Sequence, residues 1–219
     1  MINMVAKCLD IPACRQALSC LSNFLAHNHE LAESGPGGLQ EFFSSNPDLL
    51  LLAGDCFGPG SFAPAAYKCE FSIFSEFRAD FAVANAAKDK FLFIEFEDAK
   101  RGSVFKAKTS GSSTTSYEWS KRFEHGYSQV VDWHYRMDDM SGTSRLEEAF
   151  GVPNIDYDGL LVIGRDHFIR EAGGVARLRW RKDKTIINSR RIHCLTFDVL
   201  LSEIAGRLQA IEAVIGSQI

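Results

Sequence analysis

Ala79-Asp80-Phe81-Ala82-Val83-Ala84, the polar link Asn85 to Lys90, and Phe91-Leu92-Phe93-Ile94-Glu95-Phe96-Glu97 form the stretch that decides the fold. Residues 79–84 and 91–97 read as two strands, short enough and apolar enough to lie inside a sheet, with 85–90 as the turn between them. If that turn is symmetric, paired positions sum to 175 and Asp80 lies across from Glu95. Side chains alternate along a strand, so Glu95 and Glu97 share a face, with Cα atoms roughly 6.5–7 Å apart, while Ile94 and Phe96 enter the opposite layer.

Upstream, Tyr67, Cys69, Phe71 and Ile73 alternate as in a half-buried strand, behind a Gly/Pro-rich loop at about 54–66 that follows the apolar run Leu49–Leu52. Earlier still, Pro12 suits the first turn of a helix over 11–27, with Ala17, Leu18, Leu21, Phe24 and Leu25 on one face. Gly35-Pro36-Gly37-Gly38 breaks the chain, and a short helix bearing Leu39, Phe42 and Phe43 ends at Asn46-Pro47. Downstream, residues 109–116 form a Gly/Ser/Thr loop expected to be mobile. Trp119, Phe123, Tyr127, Val130, Trp133 and Met137 then recur at helical steps and predict a long helix over 118–137. Residues 157–164 read as an inner strand, and 175–181 and 191–195 as weaker strands. Thr196 can cap a last helix that buries Leu200, Leu201, Ile204, Leu208 and Ile211. A strand, a crossover helix and a further strand imply a right-handed parallel connection joined to an antiparallel hairpin. The expected fold is α/β, a mixed β-sheet flanked by helices, with residues 1–37 as an N-terminal helical extension and 38–219 as the main domain.

With 219 residues, 46% of them hydrophobic and 24% charged, the chain can bury a substantial core and is neither disordered nor fibrous. A net charge of −4 excludes a general polycation. No apolar run approaches the ~18 residues that span a bilayer, and Lys7, Asp10 and Arg15 interrupt any signal-peptide core. Six cysteines without a CxxC pair read as reduced thiols, and the expected location is the cytoplasm.

Directly opposed strand residues bring Cβ atoms to about 4.5–5.5 Å, so Asp80, Glu95 and Glu97 are expected to converge. Like charges that close call for a cation, and carboxylate oxygens suit Mg²⁺ or Mn²⁺. The competing reading is a solvated strand face paired with lysine or arginine.

These residues resemble the PD-(D/E)XK nuclease superfamily, and within it the Shedu-type anti-phage nucleases. The likeness spans about 38–205. It rests on Leu39-Gln40-Glu41-Phe42-Phe43 with Asn46-Pro47 and Leu50, on Asp80, on Phe93-Ile94-Glu95-Phe96-Glu97, on Gln129, on Asp158-Gly159-Leu160 through Ile163-Gly164-Arg165, and on Thr196-Phe197-Asp198-Val199-Leu200. The resemblance implies a restriction-endonuclease-like fold and a metal-dependent DNA endonuclease working in phage defence. Its implied site has Asp80 and Glu95 on the principal ion, helped by the Phe96 carbonyl. Glu97 stands where the family usually has lysine, giving an E-x-E variant in which Glu97 binds a second ion or takes a proton from the water. Gln129 positions substrate or water. Glu41 is a weaker acid candidate and Lys100 a weaker substitute for the missing lysine; Asp98 is expected to face away from Glu97. His125 and His134 are not spaced as a ligand pair. The alternative is a catalytically inactive nuclease-fold protein that binds nucleic acid or a regulatory partner, and a third reading is an assembly module.

A DNA substrate needs cations for its phosphates. Residues 165–191 hold nine Lys/Arg against three acids. Arg177, Arg179 and Arg181, alternating with Leu178 and Trp180, are expected to line one strand face, with Arg165 nearby. The same face could instead pair with acids or another subunit. The apolar ends, 11–25 and 199–215, suggest a homo-oligomer.

Overall fold

Pro12 and Pro47 each stand in a helix's first turn, where a missing N–H leaves no bond unmade, and between them they start the helical layer behind the sheet. The computed structural model describes residues 2–108, 115–187 and 189–217. Strand β1 (Val5–Ala6) precedes α1 (Ile11–His27), α2 (Leu39–Ser45) and α3 (Pro47–Phe57). Strands β2 (Pro64–Ile73), β3 (Phe77–Asn85) and β4 (Lys90–Phe96) follow, then a hairpin of β5 (Phe105–Lys108) and β6 (Ser116–Trp119). Next come α4 (Lys121–Met140), α5 (Ser144–Phe150), β7 (Asp156–Val162), α6 (Asp166–Glu171) and α7 (Val175–Lys184). The short pair β8 (Ile186–Ile187) and β9 (Arg190–Arg191), then β10 (His193–Leu195) and α8 (Phe197–Gly216), complete the chain.

Six strands form one mixed sheet in the order β1-β2-β3-β4-β7-β10. The first four pair antiparallel, while β4, β7 and β10 run parallel. The β3–β4 register holds Phe81 opposite Ile94 and Ala84 opposite Phe91, the symmetric pairing expected from the turn. Alternation then sorts the side chains. Leu92, Ile94 and Phe96 enter a core with α1, α3 and α8, while Phe91 and Phe93 enter a second core with Phe123, Tyr127, Val130 and Trp133 of α4. Glu95 has the parity of Phe93 and faces α4. Helix α4 lies close over β7: a Cβ on Gly159 would stand 2.5 Å from Val130 Cγ1.

The N-terminal helix α1 buries Cys14, Ala17, Leu18, Leu21 and Leu25 in the same core as α3 and α8, and Leu31 bridges to Ala99 beside the end of β4. Thr196 caps α8 through its hydroxyl, which accepts from Val199 N at 3.1 Å. All six cysteines are free thiols. Among the described residues, no helix is long and apolar enough to cross a membrane.

Several sequence expectations need correction. Leu49–Leu52 lie within α3, which runs on to Phe57 in place of the start of the expected loop. Trp119 ends β6 rather than opening the long helix, which begins after the Ser120 cap. Residues 175–184 are helix, not strand. The alternating arginines fit either period, and the run is rich in helix formers (Ala, Leu, Arg, Lys). Residues 109–114 of the expected mobile loop lie outside the described residues.

Candidate active site

Asp80 sits on β3 one position past the last β3–β4 pair, so its side chain replaces the next ladder bond. Its Oδ2 accepts from the Phe96 N–H at 2.8 Å, and its Oδ1 accepts from Gln40 Nε2 at 2.6 Å. Burial raises its pKa to about 6, and the two donors only partly oppose that rise.

Glu95 is 5% exposed, and its Oε2 is buried with no hydrogen-bond partner. Burial, followed by the negative charges of Asp80, Glu97 and Glu33, pushes its carboxyl up to about 10. A group in that position is either protonated or awaiting a cation.

Glu97 is 1% exposed but has partners on both oxygens. Arg122 Nη1 donates to Oε2 at 2.9 Å, and His125 Nδ1 meets Oε1 at 3.1 Å. Burial lifts its pKa to about 7, against the lowering effect of those two contacts. Helix α4 can bring both partners so near because Gly126 has no side chain; a Cβ there would fall 2.9 Å from Glu97 Cγ.

Asp80 and Glu95, but not Glu97, border a polar cleft of about 720 Å³ between α4 and the sheet, lined also by Glu33, Gln40, His125 and Gln129 among others. A second cleft of about 520 Å³ shares Gln40, Glu70 and Asp80 with it. Gln129 reaches the cleft as expected, its amide donating to the Arg78 carbonyl at 3.0 Å. The Arg122 guanidinium joins Glu97 to Glu33 at 2.8 Å and to Asp98 at 3.2 Å.

Other candidates have partners of their own. Asp98 does not face away from Glu97 but meets the same guanidinium, because β4 ends at Phe96 and strand alternation ends with it. Lys100 lies 3.7 Å from Asp98 and does not approach Glu97. Glu41 accepts from the Gly37 N–H at 2.6 Å and serves its own helix start. Arg165, expected at a phosphate surface, is 7% exposed and grips Asp198 through Nε and Nη2 at 3.0–3.1 Å. Its charge is neutralised inside the fold.

Among the described residues, no set of three or more His, Cys, Asp or Glu side chains is placed to hold a metal ion. Of the three acids expected to converge, Glu97 is held by Arg122 and His125, while Asp80 and Glu95 border the cleft. A pair still suits Mg²⁺, which keeps several waters and often takes only one or two protein carboxylates. The orphaned Glu95 oxygen fits such an ion.

An α/β protein with a mixed sheet and, at a polar cleft, a buried glutamate beside a half-buried aspartate is the class that fold and site define. Residues 38–201 match the family model described as Shedu protein SduA, C-terminal, and the chain belongs to that family. Membership suggests a role in anti-phage defence. A search of curated proteins finds no match.

Proposed function

We propose that this chain is a metal-dependent DNA endonuclease of phage defence, built on the PD-(D/E)XK plan, with Asp80 and Glu95 as its ion-binding pair. The observation that carries this reading is the unpartnered Glu95 oxygen beside Asp80 at the cleft. When bound, Mg²⁺ or Mn²⁺ supplies Lewis acidity, acidifying a water and shielding the phosphate. Gln40 and the Phe96 N–H hold the Asp80 carboxylate in one orientation. Arg122 neutralises Glu97, and Glu97 in turn fixes the His125 ring through Nδ1. The other His125 nitrogen is left to take a proton from a water in the cleft. Gln129, anchored on the Arg78 carbonyl, keeps its amide oxygen for orienting that water.

Phosphate contacts fall to the basic helix α7 rather than to a strand face. Arg179, Lys182 and Lys184 remain for them, while Arg181 is held by Glu124 at 2.6 and 2.8 Å and Arg177 by the Tyr117 carbonyl at 2.8 Å. Exposed Val214 and Ile215 near the end of α8 support assembly into a homo-oligomer, which we place in the cytoplasm.

Asp80→Ala and Glu95→Ala are each expected to abolish Mg²⁺-dependent cleavage of plasmid DNA. Cleavage retained by both variants would remove these roles. The second reading, a catalytically inactive nuclease-fold protein that binds nucleic acid or a regulator, is favoured by one observation: Glu97 occupies the lysine position and is already neutralised by Arg122. A wild-type chain that binds DNA but leaves plasmid intact at all Mg²⁺ and Mn²⁺ levels would establish it.

A further inference from the structure

Helix α7 has no buried residue, and Trp180 upon it is 66% exposed. Trp180 borders a cavity of about 540 Å³ whose other walls are Trp119, Arg177, Arg181, Ala176 and Thr185. Trp119 is fixed from behind by stacking on Phe123, with ring centroids 4.5 Å apart. The guanidinium of Arg177 lies over Phe105 and Trp119 at 4.9 and 5.3 Å, and that of Arg181 over Trp119 at 4.9 Å. Phe105, Phe123 and the two guanidinium groups thus occupy the Trp119 ring, and the exposed indole of Trp180 is the aromatic surface the slot leaves open.

We propose that this slot takes an unpaired nucleobase of single-stranded DNA, stacked on Trp180, while the basic side chains of α7 hold the flanking phosphates. Its size and lining suit a planar heterocycle, and aromatic stacking accepts any base because every base has a π face. The charge fits as well. Helix α7 carries five Lys/Arg and one Asp, and Lys106, Lys108 and Arg191 are exposed on the nearby hairpins; Glu124 takes up Arg181 and Glu118 stands opposite Lys106, leaving the balance positive. That concentration of positive charge attracts a polyanion. It also opposes the obvious rival, an isologous contact with a second copy of this chain, which would set two such helices against each other. Bases inside a duplex are already stacked and cannot enter without being flipped out, so the site favours unpaired strands. The inference rests on the DNA-binding part of the proposed function and does not require a live cleavage site.

The test is tryptophan fluorescence of the full chain, in EDTA and low salt, titrated with an oligothymidylate and with a duplex of equal length. Saturable quenching by the single strand is expected, with weaker binding of the duplex. For the variants, which lack the reporting indole, affinity is read from the anisotropy of an end-labelled oligonucleotide. Trp180→Ala should weaken single-strand binding about ten-fold without moving the thermal midpoint, and Trp180→Phe should retain most of the affinity, stacking on an aromatic being worth roughly 1–3 kcal/mol per base. Unchanged affinity in Trp180→Ala, equal loss for duplex and single strand, or a loss of self-association with no change in binding would each overturn the proposal. Should the wild type bind neither oligonucleotide, the DNA-binding premise falls with it. Plasmid cleavage by Trp180→Ala at saturating DNA reports separately on Asp80 and Glu95.

Discussion

Glu95→Gln is expected to stabilise the metal-free protein by about 2–4 kcal/mol near pH 7.5, an uncommon sign for a buried substitution. The folded chain holds the Glu95 carboxyl at about 10, against 4.5 as its ordinary value. Between those values the unfolded chain has released a proton that the folded chain keeps. Stability from this group is therefore complete below about pH 4.5 and lost as pH rises toward 10. Glutamine has the same shape and no proton to lose, so its stability curve should be flatter with pH. Millimolar Mg²⁺ should raise the thermal midpoint of the wild type, which gains a partner for its unmatched oxygen, and leave the variant unmoved. Chemical denaturation at several pH values, with Mg²⁺ and with EDTA, checks both parts. A variant less stable than the wild type, or equally pH-sensitive, would mean that Glu95 has a partner already.

The second large effect is expected at Arg122. Removing its guanidinium leaves Glu97, 1% exposed, without its principal cation and Glu33 and Asp98 without their common partner. Arg122→Ala should cost about 2–3 kcal/mol; the half-exposed arginine keeps the loss below that of a fully buried pair. Cleavage should fall with it, since Glu97, left with His125 on Oε1 alone, no longer fixes that ring in one orientation. Arg122→Lys should recover part of both. Adding Glu97→Gln to Arg122→Ala should return much of the lost stability, a coupling that a double-mutant cycle measures directly. Full additivity of the two changes would show that the contact is incidental.

Both effects trace to what local sequence could and could not disclose. The hairpin from 79 to 97 was legible because alternation and a symmetric turn determine register without help from the rest of the chain. That logic put Glu95 on the face opposite Ile94 and Phe96, with Asp80 beside it. It failed one residue past the strand, at Asp98, where no ladder remains to enforce alternation. The partners of the acids were out of reach for a different reason. Gln40 and Glu33 come from before the sheet and Arg122 and His125 from the helix after it, and only packing brings them together. Of these, Arg122 stood in the sequence only as a cation near the start of the expected long helix, one among many. Arg165 misled because a count of positive charge says nothing about burial, and here Asp198 had already claimed it. Helix α7 was misread because Arg-Leu-Arg-Trp-Arg satisfies a period of two while the flanking residues favour a helix.

Diffraction from a crystal soaked in Mn²⁺, recorded for its anomalous signal, tests the carboxylate pair most directly. A peak within coordination distance of both the Asp80 Oδ atoms and Glu95 Oε2 is expected, and it should vanish in Glu95→Gln. An empty map at saturating Mn²⁺, or a peak held elsewhere, would contradict a shared ion at this pair.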